Sequence, residues 1–118
     1  MKATLYHNPR CGTSRKALAL LEERGLDISV VEYLKTPPDR ETLLQLAADN
    51  GGGAKALLRT KEALAGELGL LEADTADATI IEAIAAHPSL LNRPIVVTPL
   101  GTRICRPIER LEEILPAS

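Results

Sequence analysis

The sequence predicts an α/β fold, a mixed sheet with a helical insertion between the second helix and a C-terminal β-hairpin. Three observations carry that expectation. A strand, turn, helix, strand succession fills the first third, a strand, turn, strand succession stands near the end, and the Ala-, Leu- and Glu-rich stretch between them has no strand-like run. Strands joined through a helix run parallel and strands joined by a tight turn run antiparallel, so the sheet is mixed.

Residues 3–7 (ATLYH) alternate apolar and polar, and Asn8-Pro9 breaks the run because the residue before a proline is pushed out of helical geometry. From Ser14 the period turns helical, with Ala17, Leu18 and Leu21 on one face and Gly25 as a stop. Ile28 to Leu34 (ISVVEYL) is β-branched and predicts the second strand. Thr36-Pro37-Pro38-Asp39 predicts a helix start with Thr36 as cap and Pro37 in the first turn, and the helix runs through about Asp49 to Gly51-Gly52-Gly53. Residues 54–90 predict three short helices, with Leu64/Leu68 and Ile80, Ile81, Ile84 at helical spacing and a stop at His87-Pro88. Ile95–Thr98, a turn over Pro99-Leu100-Gly101, and Thr102–Arg106 form the hairpin, and Pro107 opens a last helix along Ile108, Leu111, Ile114 and Leu115.

At 118 residues the chain fits one domain, 1–118, with a helical insert at about 50–90. Charge is nearly balanced, with 14 Lys+Arg against 16 Asp+Glu, which disfavours general binding to nucleic acid or to an anionic membrane. Tyr6 and Tyr33 are the whole aromatic complement, too few to stack bases. No stretch has the length and apolarity of a signal peptide or membrane span, which predicts a soluble cytoplasmic protein with reduced thiols. The two cysteines, Cys11 and Cys105, lie far apart with no C-x-x-C pair and no nearby His at zinc-ligand spacing, so neither a disulfide scaffold nor a metal site is expected.

Chemistry concentrates at Cys11. It stands at the mouth of a helix, where backbone N–H groups and the helix dipole stabilise a thiolate, with His7, Arg10, Arg15 and Lys16 close in sequence. Ser14 occupies the place of a second redox cysteine, so an internal dithiol cycle is closed and an external thiol must regenerate the nucleophile. A phosphatase-type loop needs Arg six residues after the Cys, where Ala17 stands, and no G-x-x-x-x-G-K-[ST] run occurs. Arg59 ends a short Ala-Leu helix, Arg93 stands before Pro94 and a strand, and Arg106 ends the neighbouring strand; guanidinium groups converging on a thiolate at a helix mouth would hold a tetrahedral oxyanion. Strand alternation sets Cys105 and Arg103 off the Arg106 face, which makes Cys105 a structural, buried residue. His7 reads either as a strand-end histidine or as a charge near the thiolate, and His87 as part of a helix end.

Four segments together, HNPRCGTSRKAL at 7–18, EYLKTPP at 32–38, ALLRTKE at 56–62 and LNRPIVVTPLGTRICRP at 91–107, closely resemble the glutaredoxin-coupled arsenate reductases of bacteria. The likeness is collinear over essentially the whole chain. It implies a thioredoxin-like (glutaredoxin-like) fold, with Pro94 in the place where such domains set a proline, often cis, beside the cysteine. It further implies Cys11 as the catalytic nucleophile, His7 as a catalytic residue lowering the thiol pKa, and Arg59, Arg93 and Arg106 as the oxyanion-binding arginines. Gly12, Thr13 and Ser14 would line the anion site. The implied reaction reduces arsenate to arsenite through a cysteine-arsenate adduct, with no bound cofactor, glutathione as co-substrate and glutaredoxin as a transient partner. Two rivals stay open: a redox regulator or adaptor using Cys11 as a sensor, which Ser14 argues against, and a glutathione-dependent reductase of another substrate, which would not need all three arginines.

Overall fold

The computed structural model describes residues 1–116. Two compact units make up the chain: Met1–Thr36 with the segment from Arg93 onward, and Pro37–Asn92.

In the first unit, β1 (Lys2–His7), α1 (Gly12–Glu23) and β2 (Asp27–Glu32) are followed, after the second unit, by β3 (Ile95–Thr98), β4 (Gly101–Ile104) and a 3₁₀ helix over Ile108–Ile114. The strand order is β2-β1-β3-β4. β1 and β2 run parallel, with Leu5 opposite Val30 and His7 opposite Glu32. β3 and β4 run antiparallel, and β3 is antiparallel to β1, giving the mixed sheet that the connections predict. Ala3 and Leu5 of β1, Ala17 and Leu21 of α1, Val96 of β3 and Leu111 and Ile114 of the 3₁₀ helix share one core. Burying a leucine side chain of this kind contributes about 1.5–3 kcal/mol.

Chain punctuation follows local chemistry. α1 ends where the N–H of Gly25 donates to Glu22 O and that of Leu26 to Leu21 O, and Gly25 takes the left-handed φ of 73° this closure requires. β2 stops at Glu32 rather than at Leu34, because the N–H groups of Lys35 and Thr36 both fold back onto Glu32 O at 2.9 Å. The last element is 3₁₀ rather than α: Ile108, Leu111 and Ile114 recur every third residue, the period of that helix. At the hairpin, Gly101 has a φ of 147°, and a Cβ there would meet Ile114 Cγ2 at 3.1 Å.

The second unit is helical: α2 (Arg40–Asp49), α3 (Gly53–Leu57), α4 (Ala63–Glu67), α5 (Asp77–Ala86) and a 3₁₀ turn over Pro88–Leu90. It thus takes in α2 besides the stretch from 50 to 90. α2, α3 and α5 pack together through buried Leu43, Leu46, Leu57, Ile80, Ile81 and Ile84. The expected cap at Thr36 is corrected to Asp39, whose carboxylate accepts the Thr42 N–H at 2.8 Å. Pro37 cannot open the helix because it precedes Pro38, and a residue before proline is held out of the α region. Gly51–Gly53 form a tied turn: Asn50 Nδ2 donates to Leu46 O and Gly53 O, and Asn50 Oδ1 accepts the Gly52 N–H. Among the described residues no helix is long and apolar enough to cross a membrane.

Candidate active site

The site lies in the first unit, beyond the carboxyl ends of the parallel strands. β1 delivers His7, and the turn that follows is set by Asn8: its carbonyl accepts the Cys11 N–H at 2.9 Å, and its side-chain Oδ1 accepts the Arg10 N–H at 3.0 Å. Such self-bonding is what asparagine does in turns. Cys11 is thereby the N-cap residue of α1, with extended φ and ψ of −92° and 122°. Its sulfur faces the unpaired N–H groups of the first helical turn.

Burial works to push the Cys11 thiol pKa up, but it is overcome and the net shift is downward. The Ser14 N–H, the Arg93 side chain, the Thr13 N–H and the Arg106 side chain, in that order, favour the thiolate. Arg106 Nη1 donates to Cys11 Sγ at 3.7 Å and also to Arg93 O at 3.2 Å, so one guanidinium links the sulfur to the loop that enters β3. The Arg93-Pro94 bond at that loop is cis, as is Arg106-Pro107.

Behind the sulfur, Ser14 is fully buried, and its Oγ accepts the Asn8 N–H at 3.1 Å and lies 2.7 Å from His7 Nδ1. Burial lowers the His7 pKa, outweighing the opposing Glu32 carboxylate, and Arg15 lowers it further. The short Nδ1–Oγ contact ties the ring to the Ser14 hydroxyl. The histidine meets the cysteine loop at Ser14.

Of the residues singled out from sequence, Cys11, Thr13, Ser14, Arg93 and Arg106 come together around the sulfur. Gly12 opens α1, with room beside it, since a Cβ there would approach Arg15 Nη2 only to 3.7 Å. Arg59 belongs to the helical unit, where its N–H donates to Leu90 O at 2.7 Å and its Nε lies 3.9 Å from a Glu62 carboxylate oxygen. Cys105 is free and fully buried, in the core cluster. Burial pushes its thiol up to about 12. Arg103 turns away and pairs with Glu113 at 3.0 Å, as strand alternation requires. Among the described residues no group of three His, Cys, Asp or Glu side chains could hold a metal ion.

Two residues of the site were not singled out by the sequence. Asn8 was legible only as part of a turn, although Asn before Pro is also the residue type that accepts its own chain's N–H groups. Tyr33 is wholly buried just beyond β2, its hydroxyl near Asn8 and Arg93 without a well-directed hydrogen bond. Burial raises its pKa and Arg93 opposes the rise. No local pattern distinguishes it from an ordinary core aromatic.

The comparisons agree with this architecture. The arsenate reductase of Escherichia coli K12 is 50% identical over 113 residues, covering 96% of this chain and 80% of that protein. That of Rhizobium meliloti is 47% identical over 116 residues, covering 98% and 83%. The structure of an arsenate reductase from Vibrio cholerae superposes with a TM-score of 0.91 at 42% identity, over 98% of both chains. The fold is thioredoxin-like. The ArsC family model matches residues 6–114, nearly the whole of the described chain, and with these likenesses it establishes that the chain belongs to the ArsC family.

Proposed function

We propose that this protein is a cytoplasmic enzyme reducing arsenate to arsenite, with Cys11 as nucleophile and with glutathione and glutaredoxin as reductants. The observation that carries the proposal is the environment of Cys11 Sγ, a thiol favoured as thiolate by two helix N–H groups and two arginines. The same donors suit a tetrahedral oxyanion bound against the sulfur. Arg93 and Arg106 would neutralise its charge, with Gly12, Thr13 and Ser14 lining the anion site and Arg59 the third guanidinium. His7 would act as a positioning residue, holding the Ser14 hydroxyl and so the loop beneath the sulfur.

The reaction follows from electron count. The Cys11 thiolate attacks As(V), a sulfur-arsenic bond forms, and one arsenate oxygen leaves as water after protonation. A glutathione thiol displaces a second oxygen, also as water. A further thiol, from glutaredoxin, then attacks the glutathione sulfur. The two thiols are oxidised to a disulfide, and the electron pair of the broken As–S bond stays on arsenic, which becomes As(III). Hydrolysis of the Cys11–As(III) bond frees arsenite and the thiolate. Two electrons must come from outside because Cys105, buried with its thiol near 12, is no resolving partner. No resident cofactor is required.

The test is arsenate-dependent NADPH oxidation coupled through glutathione, glutaredoxin and glutathione reductase. Activity in wild type and none in Cys11→Ser is expected. Wild type inactive with its thiol verified reduced would overturn the proposal and favour the redox-adaptor reading.

A further inference from the structure

The first unit holds a concavity that adjoins the Cys11 site and extends past it. A cleft of about 460 Å³ opens beyond the ends of β1 and β2. Asn8 and Arg93, which also belong to the Cys11 site, form its inner wall, and Arg10, Glu32, Leu34 and Lys35 form its outer one. The volume is that of a small-molecule site. The geometry points to this cleft as the subsite for the thiol co-substrate, a tripeptide-sized molecule with two carboxylates and one ammonium group. The inference rests on the proposed use of glutathione.

Position comes first. The co-substrate sulfur has to reach an arsenic atom held at Cys11, and the cleft adjoins that point. Asn8 O holds the Cys11 N–H, Arg10 is the neighbouring residue, and Arg93 touches both spaces. Charge comes second. With Arg93 committed to the anion at the sulfur, the outer wall offers two cations, Arg10 and Lys35, and one anion, Glu32. Two carboxylates and one ammonium are the complement of that set. The Lys35–Glu32 pair is long, at 3.6 Å, and well exposed, so both groups exchange partners at little cost. Leu34, an exposed large apolar side chain at the rim, gives the thiol-bearing methylene a dry surface.

S-methylglutathione, which binds but cannot react, titrated into Cys11→Ser and followed by amide NMR shifts, tests the inference directly. The expected shifts cluster at residues 8–10 and 32–35, with binding roughly tenfold weaker in Arg10→Ala/Lys35→Ala and weaker again in Glu32→Gln. Shifts confined elsewhere, or the same affinity in all variants, overturn it, and the spectra themselves show whether each variant is folded. The coupled assay separates the two proposals. If arsenate is reduced but the probe ignores the cleft, the subsite fails alone. If the probe binds there with this charge dependence and arsenate is not reduced, the subsite stands and the arsenate reading falls. Should the double variant raise KM for glutaredoxin and leave the probe's affinity unchanged, the cleft is a protein-docking surface and the inference is wrong.

Discussion

Replacing Arg106 with Gln removes a positive charge 3.7 Å from the Cys11 sulfur and leaves a shorter, neutral polar side chain in its place. At that separation two unit charges attract by about 1 kcal/mol in water-like surroundings and by about 4 kcal/mol at an effective dielectric of about 20. Arg106 is exposed and Cys11 only partly buried, so the lower figure applies, and salt screens it further. About 1 kcal/mol corresponds to a loss of thiolate of about fivefold at pH well below the thiol's midpoint. The sign is fixed: the cation favours the ionised form, so its removal moves the midpoint up. Iodoacetamide alkylation of the native protein reads this directly, because only the thiolate reacts and Cys105 is buried. The expected result is alkylation about fivefold slower in the variant at pH below the wild-type midpoint, converging with wild type at alkaline pH. Superimposable pH profiles would refute the electrostatic account of the site.

Ser14→Ala strips the partner from the buried Asn8 N–H and from His7, a loss of about 1–3 kcal/mol read as a lower urea midpoint, together with slower Cys11 alkylation. Asp39→Ala removes the cap of α2 and lowers the urea midpoint, with thiol reactivity unchanged. Cys105→Ala keeps Cys11 alkylation and arsenate turnover within about twofold, although the cavity lowers thermal stability. For Cys11, a folded thiol that ionises more readily than the unfolded one contributes stability that is full above the unfolded thiol value of 9.0 and is lost as pH falls through the lower folded value. Denaturant melts should therefore show Cys11→Ser losing ground to wild type as pH rises through that window.

What the sequence disclosed and what it hid divide along the range of the forces involved. Strands and helices that carry their own period, such as the β-branched residues of β2 and β3 or Ala17 and Leu21 of α1, are local and were legible. So was the last helix in outline, since Ile108, Leu111 and Ile114 mark a buried edge whichever helix carries them. The cap of α2 went to Thr36 because the proline at the first helical position was weighed without the second proline after it. α1 starts at Gly12, five residues before Ala17 opens its apolar face, and a glycine has no side chain with which to announce a helix. Its cap is a cysteine, a residue type no capping rule favours.

The burial of Tyr33 beside Asn8 and Arg93 depends on residues that meet only when β1, β2 and the loop before β3 are assembled, and no local pattern encodes it. That dependence has a chemical consequence. The groups favouring the Cys11 thiolate come from three separate places in the fold: two N–H groups from the start of α1, Arg93 from the entry to β3 and Arg106 from the exit of β4. Burial alone would suppress ionisation, so the reactive thiol is a property of the assembled sheet rather than of the HNPRCGTSR segment. A peptide of residues 7–18 should accordingly show alkylation no faster than an ordinary cysteine peptide, whereas the folded protein reacts faster at neutral pH. Equal rates would mean that the motif, and not the fold, activates the sulfur.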